Sequence, residues 1–431
     1  LPHPPAGMPA GCFLDISKVA KEYFAARGVK SNVGVAVPVV AVGKLGYPDL
    51  AEKALRDGKC DMVMLGRPVL ADPDWCNKAY AGKVGDIRPC IGCQEGCVNE
   101  FVEGGHPQCA VNPRTGFEDV MPKEFPKAEK VKRVAVVGGG SAGMNFALVA
   151  AKRGHQVEIY EKSDRLGGKL WPASRPLVKF DMMNYTQWLI AQVEKAEGVT
   201  VHLNTAVDND FLKAEGFDVI VFAVGAQGSD KLPPIPGIQD AKTVDGVDLL
   251  NHPEKLGDAK KVVVIGGGSV GMETAYWLEY EHGCDVTVVE MLKYMMDGAC
   301  TANRGHLIHY FEKAGGKLIN CSKVVGFGGD NSVKIERNIS KGVPDPYCTW
   351  TPVIPKNIDN PLAPKMGPES LIESLPADLV VLCMGRAANQ DPYYKAVEER
   401  VAPEIYNIGD SLQAGNLLTG NRAAWSTAAM I

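Results

Sequence analysis

The chain has 431 residues, 45% hydrophobic and 23% charged, with a formal net charge of -5. That length allows two or three domains, each with a buried core, and that charge gives no reason to expect nucleic acid or an anionic membrane as a partner. No apolar run reaches the roughly 18 residues of a membrane-spanning helix.

The chain opens at Leu1 without a methionine and stops at Ile431 in an apolar, helix-like stretch, so both ends are expected to be cut. No basic-then-apolar leader is seen, which in a cut chain says little about targeting. Of the twelve cysteines, Cys12, Cys60, Cys76, Cys284, Cys300, Cys321, Cys348 and Cys383 are scattered, several of them in apolar runs. They are expected to be buried free thiols of a reducing, cytoplasmic compartment.

Residues 1–85 are expected to alternate helix and strand. GCFLDISKVAKEYFAARG has apolar residues at helical spacing and ends at Gly28, VAVPVVAVG is a strand, PDLAEKALRDG a short helix and DMVMLG a second strand. Continuous apolar strands alternating with helices imply a parallel sheet covered on both faces. Each strand ends in glycine and a cation, Gly43-Lys44 and Gly66-Arg67, as the phosphate-binding loops after the last two strands of a (β/α)8 barrel do. The same residues serve equally as plain turns with solvent-facing cations. A whole barrel takes about 250 residues, so most of one is missing here. His3, in the proline-rich LPHPPAG, reads as a surface loop residue.

Next come Cys90, Cys93, Cys97 and Cys109, spaced CxxCxxxC with a fourth cysteine after eleven more residues. Four thiolates fit structural zinc or a 4Fe-4S cluster. Spacing does not choose between them; redox cofactors next door favour the cluster, because zinc carries no electrons.

Those cofactors are indicated by a duplicated segment. KRVAVVGGGSAGMNFALVAAKRGHQVEIYEK returns as KKVVVIGGGSVGMETAYWLEYEHGCDVTVVE, pairing Gly138 with Gly266, Gly140 with Gly268, Gly143 with Gly271 and Glu161 with Glu290. In such a fingerprint the first glycine turns the chain, the second admits the pyrophosphate and the third lets helix and strand pack, while the acid takes the ribose hydroxyls. The helix N-terminus faces the pyrophosphate with free N–H groups. The first copy continues into Gly167-Gly168, and a late strand ends at Gly409-Asp410, where an acid can hold a flavin polyol; this pair suits FAD. The second copy suits a nicotinamide nucleotide, and Glu290, with no arginine beside it and Lys293 three residues on, predicts NADH over NADPH.

In this order, PVVAVGKLGYPDLAEKALRDGKCDMVMLGRPVLADP, CIGCQEGC and the two fingerprints resemble the family of 2,4-dienoyl-CoA reductase, enoate reductases and trimethylamine dehydrogenase. The resemblance spans almost the whole chain. It implies an α/β protein: the C-terminal part of an Old Yellow Enzyme-like (β/α)8 barrel over 1–85 and a cluster loop with linker over 86–128. After them come an FAD domain in two parts, 129–255 and 377–431, and an NAD domain over 256–376, both Rossmann-like.

Residue by residue, it implies FMN phosphate contacts from Gly43, Lys44, Gly66 and Arg67, with Lys44 in place of a more usual arginine. Cluster ligation is implied for Cys90, Cys93, Cys97 and Cys109. FAD would be bound by Gly138, Gly140, Ser141, Ala142, Gly143, Glu161, Gly168, Gly225, Gly409 and Asp410, and NAD(H) by Gly266, Gly268, Ser269, Val270, Gly271 and Glu290.

The family's tyrosine and histidine proton donors belong to strands that would precede Leu1, so no catalytic acid is identified here. The expected function is electron passage from NADH through FAD and the 4Fe-4S cluster to FMN, for reduction of an enoyl thioester, enoate or enone. An amine dehydrogenase feeding a carrier protein is a second reading, weakened by the intact second fingerprint. An electron-transfer subunit serving a separate barrel chain is a third. A homo-oligomer or that separate barrel chain would be the partner.

Overall fold

The computed structural model describes residues 3–102, 104–228, 234–349 and 364–431. Two parallel sheets organise it. The first runs, in spatial order, Glu404–Asn407, Val219–Phe222, Arg133–Val137, Gln156–Tyr160 and Val199–His202. Val219–Phe222 is buried along its length, as a central strand covered on both faces must be. One face receives the helix Ser141–Lys152 and the C-terminal helix Leu417–Met430, through Met144, Phe146, Ala424 and Ala428. On the other, Leu212, Phe217 and Ala396 pack with Tyr160 and Phe222.

The second sheet runs Lys317–Ile319, Asp285–Val289, Lys261–Ile265, Leu379–Leu382 and Thr243–Asp245, again all parallel. It therefore reaches beyond the stretch 256–376 at both ends. Leu379–Leu382 is apolar throughout, and a place between Lys261–Ile265 and Thr243–Asp245 gives it both ladder partners and two covered faces. An antiparallel sheet of Ser322–Phe327, Val333–Asn338 and Ser370–Leu375 joins this half. Its alternation is visible in Val333 and Ile335, which are buried while Lys334 and Glu336 are exposed; that period of two is the strand signature. Ala226–Gln227 pairs antiparallel with Ala387–Ala388 and ties the two halves together.

In the N-terminal segment the helix Leu14–Ala26 precedes two short parallel strands, Val40–Ala41 and Met62–Val63, joined through the helix Pro48–Arg56. Pro48 opens that helix at a position where no N–H is needed, and Gly58 turns the chain after it at φ +67°. Ala41, Leu45, Ala54 and Cys60 form a small core. On the opposite face Val40, Val42, Met62 and Met64 are 40 to 57% exposed. Both strands are shorter than the apolar runs that contain them, since each has a ladder partner on one side only among the described residues.

All twelve cysteines are free; Cys60, Cys284 and Cys300 are buried as expected, whereas Cys76 is exposed. His3 is exposed too, but the rest of its loop is not a surface feature: Pro4 and Pro5 are buried. Among the described residues no helix is long and apolar enough to cross a membrane.

Candidate functional site

The two fingerprints have matching geometry. Gly138 and Gly266 turn at φ +109° and +103°, a left-handed region that favours glycine. A Cβ on Gly143 would collide with the Gly138 carbonyl oxygen, and one on Gly271 with that of Gly266, so the third glycine of each copy is required for helix and strand to close. The strand-end acids fasten the turns: Glu161 Oε2 accepts from Gly139 N at 2.7 Å, and Glu290 Oε2 from Gly267 N at 2.6 Å. Glu290 Oε1 also accepts from Leu292 N at 2.7 Å. Glu161 Oε1 is filled by Ser163 N and Oγ at 2.9 and 2.8 Å, whereas Glu161 Oε2 and both Glu290 oxygens each keep a lone pair for a ribose hydroxyl.

A cleft of about 1000 Å³ joins the second fingerprint to the flavin side. Gly266, Gly268, Ser269, Val270, Gly271 and Glu290 line one end; Lys169, Asp410 and Leu418 line another. Asp410 Oδ1 accepts from Gly415 N at 3.2 Å, and Lys169 Nζ lies 3.5 Å from Asp410 Oδ2. Burial lowers the Lys169 ammonium from its usual range, partly offset by Asp410. Gly168 turns at φ +48° against the Gly140 backbone, and Gly225 lies beside Lys169 Nζ. Gly409 packs on Ala142. The hydroxyl of Ser141 donates to Asn421 Oδ1 at 2.8 Å, which leaves its backbone N–H at the helix N-terminus for a cofactor.

The sequence reading missed several charged groups of the cleft. Lys169 directly follows the noted Gly167-Gly168, so proximity in the chain could have found it. Glu273 lies two residues after the third glycine of the second copy and pairs with Lys179 at 2.8 Å; Arg386 pairs with Asp245 at 2.5 Å. Neither partnership has a local sequence signal.

The four cysteines surround a second, smaller cavity, lined also by Arg67, Gln94 and Gly96. Ile91, Cys93 and Ala110 line both cavities, so these residues form a wall that the cleft and the cysteine cavity share. Burial raises all four thiols above their ordinary value, Cys93 well above and Cys109 to about 12. Among the described residues no three His, Cys, Asp or Glu side chains close on a point that would hold a single metal ion. The loop is braced from the nicotinamide half: Asn303 Nδ2 donates to Cys93 O at 2.7 Å, and Asn303 Oδ1 accepts from Ala6 N at 3.1 Å.

Lys44 and Arg67 are both turned inward. Lys44 Nζ makes a buried ion pair with Asp181 Oδ2 at 2.7 Å and donates to the carbonyls of Ala6 and Met8, each at 2.7 Å. Asp181 also accepts from Tyr47, whose phenol is raised by burial and by that carboxylate. Arg67 Nη2 donates to Pro4 O at 2.8 Å, while its Nη1 is buried without a hydrogen-bond partner; the residue also lines the cysteine cavity. Gly43 is covered by the Phe13 ring, and only Gly66 is open. These four residues as placed do not fit a flavin phosphate, because Lys44 is held by Asp181 and Gly43 is covered by Phe13.

The family model described as "Pyridine nucleotide-disulphide oxidoreductase" matches residues 132–412, with a further match over 110–215. The chain belongs to that family. Within it, the cinnamate reductase of Clostridium sporogenes is 33% identical over 98% of this chain and 56% of the relative. The NADH oxidase of Thermoanaerobacter brockii is 33% identical over 91% of this chain and 56% of the relative. A 2-naphthoyl-CoA reductase solved with 2-naphthoyl-CoA superposes with a TM-score of 0.83 at 29% identity, covering 99% of this chain and 57% of that one. The chain thus spans about half the length of the curated relatives it matches, and they bear out the resemblance to the 2,4-dienoyl-CoA reductase group. Family membership supports an oxidoreductase with FAD and a nicotinamide nucleotide at the two fingerprints.

Proposed function

We propose that this chain is the electron-input part of an NADH-dependent flavin and iron–sulfur reductase. The carrying observation is the wall of Ile91, Cys93 and Ala110 shared by the nucleotide cleft and the cysteine cavity. The cavity fits a 4Fe-4S cluster on two counts. It is lined by four cysteines, the ligand number such a cluster takes; and Arg67, which also lines it and keeps a buried Nη1 without a hydrogen-bond partner, can supply a donor to an anionic cluster. Zinc suits it less beside two redox nucleotides, because zinc is redox-inert and would carry no electrons.

With FAD, the nicotinamide and the cluster bound, the chemistry they supply is conversion of a hydride pair into single electrons. The chain's own residues do the rest. Glu290 would hold the NADH ribose, Glu161 and Asp410 the FAD ribose and polyol, and Cys90, Cys93, Cys97 and Cys109 the iron. Lys169 places a cation in the cleft, and Ile91 and Ala110 keep the wall apolar and thin.

The names of the relatives point to an activated C=C bond as the final acceptor, in an enoate or an enoyl thioester. The exposed Val40, Val42, Met62 and Met64 support a barrel completed by further strands, on this polypeptide or on a separate chain. No step is assigned to FMN, since Lys44 and Arg67 do not present its phosphate site.

The test is anaerobic mixing with NADH, following flavin bleaching by absorbance and the cluster by electron paramagnetic resonance after iron and sulfide analysis. Flavin reduction followed by a reduced-cluster signal is expected. Zinc in place of iron, or a cluster that NADH never reduces, would refute the relay. Full C=C reduction by these 431 residues alone would refute the incomplete barrel.

A further inference from the structure

A buried polar network connects the first fingerprint to the cysteine loop. Asn421 and Asn145 are 1% and 4% exposed, and Tyr185 is wholly buried. Asn421 Oδ1 accepts from Ser141 Oγ at 2.8 Å and from Asn145 Nδ2 at 3.2 Å. Trp425 Nε1 donates to Asn145 Oδ1 at 3.2 Å. Asn421 Nδ2 donates to Tyr185 OH at 3.2 Å and to the Ala110 carbonyl at 2.8 Å. Every polar atom of the Asn421 side chain is therefore used, which defines its orientation in a site where an unpaired amide is costly.

The last of these bonds has a chemical consequence. Ala110 belongs to the wall between the two cavities and follows Cys109. The oxygen that Asn421 holds is on the same peptide unit as the Val111 N–H, and in a trans peptide the two point in opposite directions. The backbone N–H groups of Val111 and Asn112 hydrogen-bond the Cys109 sulfur. Drawing the Ala110 carbonyl toward Asn421 thus aims the Val111 N–H at that sulfur, and an acceptor bond on one side of a peptide strengthens the donor on the other.

We propose that Asn421 is a positioning residue for the cysteine centre: by holding the Ala110 carbonyl it fixes the Val111 N–H on the Cys109 sulfur and raises the centre's reduction potential. This rests on reading the four cysteines as cluster ligands. Hydrogen bonds to cluster sulfurs are among the terms that set such potentials, and they favour the reduced, more negative state. Asn421 therefore makes the cluster a better acceptor of electrons arriving through the wall.

The experiment is a redox titration of the full chain followed by electron paramagnetic resonance, after iron and sulfide analysis. It compares the unaltered protein with Asn421→Leu and Tyr185→Phe. Asn421→Leu is expected to lower the potential, with a roughly tenfold fall in the reduced-to-oxidised ratio at a fixed potential, about 59 mV for one electron. Tyr185→Phe keeps the bond to Ala110 and is expected to leave the potential in place. An unchanged potential in iron-replete Asn421→Leu, or an equal shift in Tyr185→Phe, overturns the proposal. Should Asn421→Leu lose its iron, Asn421→Asp keeps the acceptor used by Ser141 and loses the donor. Its shift must then exceed that of Asn145→Asp, which carries the same charge without the bond to Ala110, and a smaller or equal shift overturns the proposal. Absence of iron and sulfide from the unaltered protein overturns the cluster reading itself, and this inference with it.

Discussion

Replacing Glu290 with glutamine should collapse the preference for NADH over NADPH. Glu290 is 8% exposed, so its charge is little screened, and its two oxygens accept from Gly267 N and Leu292 N at 2.6 and 2.7 Å. A charge-assisted bond from a carboxylate to the ribose hydroxyl is worth about 1.5–3 kcal/mol, or roughly 10- to 150-fold in kcat/KM. A 2′-phosphate about 5 Å from the carboxylate would meet a repulsion on the order of 3 kcal/mol per unit charge at an effective dielectric constant near 20. Glutamine removes the repulsion and weakens the bond. It also turns an amide NH2 toward one of the two backbone N–H groups, a loss of about 1–3 kcal/mol that falls on both nucleotides alike and cancels in their ratio. The expected result is a fall of roughly a hundredfold in the NADH-to-NADPH ratio of kcat/KM, measured as the rate of flavin bleaching under anaerobic mixing. A ratio that moves less than about twofold, or an unaltered protein that prefers NADPH, would refute the assignment of Glu290 to the ribose.

Gly143→Ala should strip bound flavin and lower stability by about 1–3 kcal/mol, because its Cβ meets the Gly138 oxygen. Gly271→Ala should keep the flavin and lose NADH-driven bleaching, which flavin absorbance per chain separates from the first case. Asp181→Ala should cost about 3–5 kcal/mol in denaturant unfolding, since it leaves buried Lys44 without its counter-charge; the double change Lys44→Met with Asp181→Leu should recover most of that loss. Acid should destabilise the fold through His155. Its ring is 1% exposed, its Nδ1 accepts from Lys132 N, and burial lowers it below its ordinary 6.5 despite a contact with the Ile431 oxygen. Between the lowered folded value and 6.5 the unfolded chain binds a proton that the folded chain refuses, so stability falls as pH drops below 6.5. His155→Gln should flatten that slope of Tm against pH, and an unchanged slope would assign it to other groups.

What was legible in the sequence depended on how far each residue's role is set by its neighbours along the chain. The fingerprints could be read because their requirements are local: a turn at φ +109° or +103° and a helix that closes on its own strand exclude side chains at Gly138, Gly143, Gly266 and Gly271. The acids could be read too, since strand ends bring Glu161 and Glu290 back over those turns. Lys44 and Arg67 show the limit. Next to glycines after strands they look like anion ligands, yet a buried ammonium goes to whichever carboxylate the fold supplies, and Asp181 lies 137 residues away. Asn421 is illegible for the same reason: Thr419, Arg422, Ser426 and Thr427 share its helix, and its bond to Ala110 spans 311 residues.

These distant partners have one thing in common. Asn303 with Cys93 and Asn421 with Ala110 join the cysteine loop and the backbone beside it to two distant parts of the chain, while Lys44 with Asp181 and Arg67 with Pro4 fix segments that pack around it. A loop of only twenty residues has little core of its own, so its shape must come from outside. If electrons pass through the wall of Ile91, Cys93 and Ala110, the thickness of that wall matters, and side-chain amides on its backbone carbonyls fix it more tightly than apolar packing would. The polar residues that the sequence leaves without a motif are thus the ones that hold the motif's cysteines in place.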